Sequence, residues 1–291
     1  MTWPPARWRS GSAGRSPATP WTAARSTRSP PGPGPPWPRA GRLIRRELRA
    51  EHVEVLAPPD RAPTGLMTRW RPAPGRARVV YHRGGSAGAQ LQAADIPREV
   101  IAGAAAVHVT GITPALGDGP AAAVTRAVAL ARAAGVPVSL DVNCRQALWS
   151  RDQAAAVIGA LLPGCDVVFA GRDEAEMLTG EADPEAAARA LEARGPGQVI
   201  ITLGAEGCLA RIGGSTLAVA ALVVTVIDTV GAGDAFVAGY LTELIEDRPP
   251  AVRLVTAVTA GALAVTAAGD WEGMPDRDAL ALLAAVEPVS R

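Results

Sequence analysis

From residue 105 onward, short apolar runs alternate with longer alanine-rich stretches whose apolar positions recur at helical spacing. AAVHVTG (105–111), VPVSLDVN (136–143), DVVFAG (166–171) and QVIITLG (198–204) read as buried strands. Segments 120–134, 151–162 and 184–194 between them read as helices. Such alternation with short loops predicts a mostly parallel sheet covered by helices on both faces. CLARI and LAVAALVVTVID then suggest antiparallel strands, and 233–246 and 251–267 two closing helices. Upstream, RLIRRELRAEHV has the pattern of an amphipathic helix, and VEVLAPP that of a short strand stopped by Pro58–Pro59. Segments 64–71 and 76–83 read as a hairpin joined by Pro–Ala–Pro–Gly.

The first 41 residues break this pattern. They contain no Leu, Ile, Val or Phe, yet hold four of the seven tryptophans and ten of the 26 prolines. No periodicity can be drawn through them. Two readings stand: a disordered Pro/Arg-rich tail, or out-of-frame translation of GC-rich DNA. In the second, normal coding resumes near Gly41–Leu48, and the absence of lysine and the single asparagine, Asn143, fit the same base bias. Residues 42–291 form the α/β domain, expected to lack its first strands.

Charge sharpens the division. Residues 1–41 hold six arginines and no acid, so the overall +1 leaves −5 on the body, which argues against a nucleic-acid partner. No run of eighteen apolar residues and no apolar leader segment occur, so neither a membrane span nor a signal peptide is expected. Cysteines at 144, 165 and 208 are odd in number and lack metal-ligand spacing, which points to reduced thiols in the cytoplasm.

The chemistry concentrates in DTVGAGDAFVAGY (228–240), where a strand-like run meets a helical one. Free backbone N–H groups and the helix dipole there favour an anion, and glycine lets a ligand approach the backbone. Asp234, in the first helical turn, is placed to take a proton from a hydroxyl. A short Gly-x-Gly-Asp alone reads more often as a turn with a capping aspartate.

The whole string resembles the DTxGAGDxF signature of the ribokinase-like (PfkB) carbohydrate kinases. That resemblance implies a three-layer α/β/α fold with a small β lid, of which 64–83 would be part. It implies an anion hole at Gly231, Ala232 and Gly233, Asp234 as catalytic base, and ATP with Mg²⁺. LDVNCRQALW (140–149) resembles the family's D-x-N-x-R-x-x-L-W segment, assigning Asn143 and Arg145 to sugar or phosphate. TLGAEGCLA (202–210) resembles its nucleotide turn, giving Thr202, Gly204 and Gly207 as ATP contacts. GRDE departs from the usual N-x-x-E, with Gly171 in place of Asn but Glu174 retained for Mg²⁺ and phosphate. The family's adenine-side asparagine is also missing near Val258 and Thr259.

VVYHRGGSAGAQL (79–91), HVTGITPAL (108–116) and GDWEGMP (269–275) resemble the branch acting on 2-keto-3-deoxygluconate. This assigns Tyr81, Arg83, Ile112 and Arg145 to substrate, with Asp270 on a closing loop. Guanidinium groups suit a sugar-acid carboxylate. The alternatives are another acceptor (fructose, 5-keto-2-deoxygluconate or a nucleoside), or an impaired remnant that only binds nucleotide. Family members carry sugar-binding residues in N-terminal strands that 1–41 do not supply, so little or no turnover is expected of this chain. The resemblance also implies a homodimer through the lid.

Overall fold

The computed structural model describes residues 39–58, 60–73 and 76–284. Most of the expected tail, together with Pro59 and the Pro74–Gly75 tip of the hairpin, lies outside the described residues.

A six-stranded sheet organises the fold, in sequence order from one edge to the other. Its strands are β3 (Val107–Thr110), β4 (Val138–Asp141), β5 (Val167–Gly171), β6 (Gln198–Thr202), β7 (Cys208–Ile212) and β8 (Ser215–Val219). β3 to β6 pair in parallel, and β7 and β8 complete the sheet antiparallel. The lid is a separate antiparallel pair, β1 (Leu66–Ala73) and β2 (Arg76–His82).

Alternation along the central strands explains the layering, because successive side chains point to opposite faces. Val168, Ala170, Val199 and Ile201 join α3 (Asp118–Ala134), α4 (Arg151–Leu161), α5 (Arg172–Thr179) and α6 (Pro184–Glu192) in one core. Val167, Phe169 and Ile200 face α7 (Ala232–Ile245) and α8 (Pro250–Ala264) in the other. Phe169 packs edge-on against Phe236 at 6.4 Å and Tyr240 at 5.3 Å, and Tyr240 Oη donates to Gln198 Oε1 at 2.6 Å. These contacts pin α7 to the sheet and thereby fix where its N-terminus points. Gly239 lets α8 approach, since a Cβ there would lie 3.1 Å from both Ala260 Cβ and Thr256 O.

Two expectations need correction. VEVLAPP forms no strand over 53–58, and 220–227 are not strand either. Both are β-branched enough to suggest one, but no neighbouring strand pairs with them, so the ladder cannot form. Ile227 and Asp228 N–H instead donate to Val265 O at the end of α8. Two short helices, α2 (Arg98–Gly103) and α9 (Arg277–Ala284), add to the elements expected, as does α5.

One flank is bare. α1 (Arg39–Ala50) buries none of its residues, and Leu43 and Ile44 are about half exposed. Among the described residues β3 pairs only with β4, so its other edge has no partner.

Candidate active site

Four parallel strands end side by side, and the chain just past each end carries the residues singled out by sequence. Thr110 is in register with Asp141, Asp141 with Phe169, and Gly171 with Thr202. Ile112, Asn143, Arg145, Glu174 and Gly204 follow immediately, at the carboxyl edge where α/β sheets bind ligands. Gly111 draws the first two of these exits together: a Cβ there would stand 2.1 Å from Val142 O.

Glu174 braces the next pair. Its Oε1 accepts from Cys144 N at 2.7 Å and its Oε2 from Gly171 N at 2.8 Å, so one carboxylate clamps the ends of β4 and β5. Asn143 between them takes a left-handed φ of 35°, a conformation asparagine tolerates better than most residues. Arg172 at the start of α5 pairs with Glu206 at 2.9 Å, linking this edge to the 204–207 turn. The two glycines of that turn differ. Gly207 is required by packing, since a Cβ would strike Val219 O at 2.0 Å, whereas at Gly204 it would meet nothing within 4 Å.

From the opposite layer, α7 presents its N-terminus. Gly231 caps it with φ 80°, and a Cβ there would reach Asp270 O at 2.0 Å. The 269–274 loop therefore sits directly on the glycine turn. It is held in shape by Glu272, whose Oε2 accepts from Asp270 N and Trp271 N at 2.9 and 3.1 Å. The first ladder bond runs from Ala235 N to Gly231 O, which leaves the Ala232, Gly233 and Asp234 N–H groups outside the helix ladder. A Cβ on Gly233 would meet nothing within 4 Å, so its backbone is open to a ligand. A helix start of this kind favours an anion, and it carries a carboxylate on its first turn.

Electrostatics show which of these groups share one space. Asp141 is pushed up to about 7, first by burial and then by the Glu174 and Asp234 carboxylates, against the pull of the Asn143 N–H and Arg145. Asp234 is also raised, by desolvation and then by Asp270, with Arg145 opposing. Asp141, Glu174, Asp234, Asp270 and Arg145 thus lie near enough to act on one another's charge. A raised carboxyl is a better proton acceptor once ionised, which suits Asp234 to act as a base.

Tyr81 and Arg83 lie at the end of the lid hairpin. The Arg83 guanidinium stacks 4.6 Å above the Tyr81 ring, and among the described residues neither hydrogen-bonds to the carboxylate group. Sequence reasoning missed Asp141, although an acid ending an apolar strand was a visible signal. It also missed Arg69 of the lid, whose two terminal nitrogens donate to Asp228 at 2.6 and 2.7 Å. Arg69 has no local signal, because its partner lies 159 residues away.

These features define an α/β/α fold in which a helix start with amides outside the helix ladder stands beside a carboxylate. The model of the pfkB family carbohydrate kinases matches residues 38–277. A 2-dehydro-3-deoxygluconokinase of Thermoproteus tenax is 39% identical over 254 residues, covering 84% of this chain and 77% of the relative. A 2-dehydro-3-deoxygluconokinase of Bacillus subtilis (strain 168) is 36% identical over 247 residues, 83% of this chain and 76% of the relative. Among solved structures, a PfkB protein from Polaromonas sp. JS666 is 31% identical with a TM-score of 0.74, over 84% of this chain and 79% of that one. The chain belongs to the pfkB family and has the ribokinase-like fold. Its family and its kinase relatives make it a carbohydrate kinase.

Proposed function

We propose that the site transfers the γ-phosphate of ATP to a hydroxyl of a sugar acid, 2-keto-3-deoxygluconate (2-dehydro-3-deoxygluconate) to its 6-phosphate. The observation that carries this reading is the joint placement of Asp234 and the free α7 amides in one crevice. Asp234 takes the proton from the attacking hydroxyl, and the Ala232, Gly233 and Asp234 N–H groups bind the phosphoryl oxygens as charge develops on them. Thr202, Gly204 and Gly207 border the nucleotide, and Asn143 and Arg145 face sugar or phosphate. Arg83, Tyr81, Ile112 and Asp270 complete the sugar side. The names and identities of the two kinase relatives support the sugar-acid acceptor.

Mg²⁺ fits the donors present. Glu174, with its neighbour Asp141, offers hard oxygens, and each Glu174 oxygen accepts only one N–H, which leaves lone pairs. No set of three His, Cys, Asp or Glu able to hold a metal occurs among the described residues, in keeping with an ion held mainly by phosphates. When bound, Mg²⁺ neutralises nucleotide charge. No described helix is long and apolar enough to cross a membrane. Burial pushes the Cys165 and Cys208 thiols up to about 12 and about 11, which makes them unreactive, and a cytoplasmic setting goes with the kinase reading.

The bare flank favours a second reading, a catalytically impaired chain that binds nucleotide. α1 buries nothing and β3 has a free edge among the described residues, which leaves the sugar side thinly walled. Phosphate transfer to 2-keto-3-deoxygluconate by the purified chain, with Asp234→Asn as control and fructose as rival acceptor, separates the readings. Asp234-dependent transfer supports the first; ATP binding without transfer supports the second.

A further inference from the structure

Arg69 ties the lid to the turn that builds the anion site. It lies within β1, opposite Val79 of β2, far in sequence from the glycine motif. Its Nη1 donates to Asp228 Oδ2 at 2.7 Å and its Nη2 to Asp228 Oδ1 at 2.6 Å. Asp228 is only 5% exposed. The same Oδ1 accepts from Val230 N at 3.2 Å, closing a side-chain turn over Thr229 that leads into Gly231. Asp228 N in turn donates to Val265 O at the end of α8. Asp228 therefore links three elements: its carboxylate joins the lid strand to the turn before α7, and its backbone N–H reaches the end of α8.

We propose that Arg69 is a positioning residue for phosphoryl transfer. By holding Asp228 in two-point contact it fixes the turn that aims the α7 amides and Asp234, so the lid seat and the anion site form one unit. The proposal rests on the kinase reading of that site. The physical reason is specific to guanidinium. A planar fork fixes both carboxylate oxygens at once, whereas an ammonium fixes a distance but not an orientation. Without the Arg69 fork, the buried Asp228 carboxylate loses its two-point hold and can rotate, which releases the Val230 N–H and loosens the approach to Gly231. Asp270, whose backbone rests on Gly231, also acts on the Arg69 guanidinium, so the closing loop feels the same charge.

The test uses the full chain with Arg69→Lys and Arg69→Met. Native-state hydrogen exchange is followed at the amides of Val230 and Ala235, with Ala257 and Val258 in α8 as internal reference. The expected result is exchange about tenfold faster at the turn in Arg69→Met, less in Arg69→Lys, with α8 unchanged. In the same variants kcat for the sugar acid falls by about tenfold while the affinity for ATP holds within about threefold. Exchange that rises equally in the turn and in α8 would mean a merely structural ion pair and would overturn the proposal, as would no change at the turn. If Arg69→Met does not fold, Arg69→Lys decides by the same comparison. If the wild-type chain transfers no phosphate, the kinase reading fails on that arm, and the exchange arm still decides what Arg69 does.

Discussion

Replacing Asp141 with asparagine tests whether the fold stores electrostatic strain at the crevice. The carboxyl moves from its ordinary 3.8 to about 7, chiefly through burial and then through Glu174 and Asp234. The folded protein therefore binds this proton more tightly than the unfolded chain does. Stability from this group is greatest when both states are protonated, and is lost as pH rises from about 4 to about 7. At 1.36 kcal/mol per tenfold, the full penalty at pH 8 would be roughly 4 kcal/mol. Coupling within the carboxylate group and solvent in the crevice reduce it, so a gain of about 2 kcal/mol is expected for Asp141→Asn at pH 8. Asparagine still offers an oxygen to the Asn143 N–H, so the swap removes charge with little change of shape. Urea unfolding at about pH 5 and pH 8, with m-values compared, measures the gain. It should shrink to less than half at the lower pH. A gain that is the same at both, or a loss at pH 8, would refute the reasoning, because Asp141 would then be a favourably held anion.

Two glycines of one motif should respond in opposite ways. Gly231→Ala meets Asp270 O at φ 80° and should lose roughly 2 kcal/mol or more of stability, read by thermal melting. Gly233→Ala meets nothing and should hold or gain up to about 1 kcal/mol, yet lose phosphate transfer because its methyl fills the ligand's approach. Retained transfer in Gly233→Ala would argue against an anion bound on those amides. The lid exposes Leu66, Trp70 and Val80 on one face of its hairpin, a face suited to a second copy of this chain. Sedimentation should show a dimer that Val80→Arg weakens, and a monomer at all concentrations would remove the lid from assembly.

What could be read from sequence follows the physics of each segment. VVFAG and the VII centre of QVIIT were legible because central parallel strands are buried on both faces and so run apolar through their middle. The segment 220–227 has the same β-branched character and misled, because strand formation depends on a partner that local sequence does not show. α5 was hidden by its charges, which serve the site: Glu174 in its first turn clamps two strand ends. The glycine motif was legible because its geometry is local, down to the left-handed Gly231. Arg69 was not, since the Asp228 that gives it meaning arrives only through the fold; Asp141 was visible as an acid ending an apolar strand, but its Glu174 and Asp234 neighbours come only with the fold.

The most direct measurement is ATP-dependent phosphorylation of 2-keto-3-deoxygluconate by the purified chain beside its Asp234→Asn variant. The expected result is transfer, slow on the usual scale of about 1–100 per second, that exceeds transfer to fructose and falls by about 10²–10⁴-fold in the variant. Transfer that is equal in the two proteins, or absent from both, would contradict the assignment of Asp234 as the base of a working sugar-acid kinase.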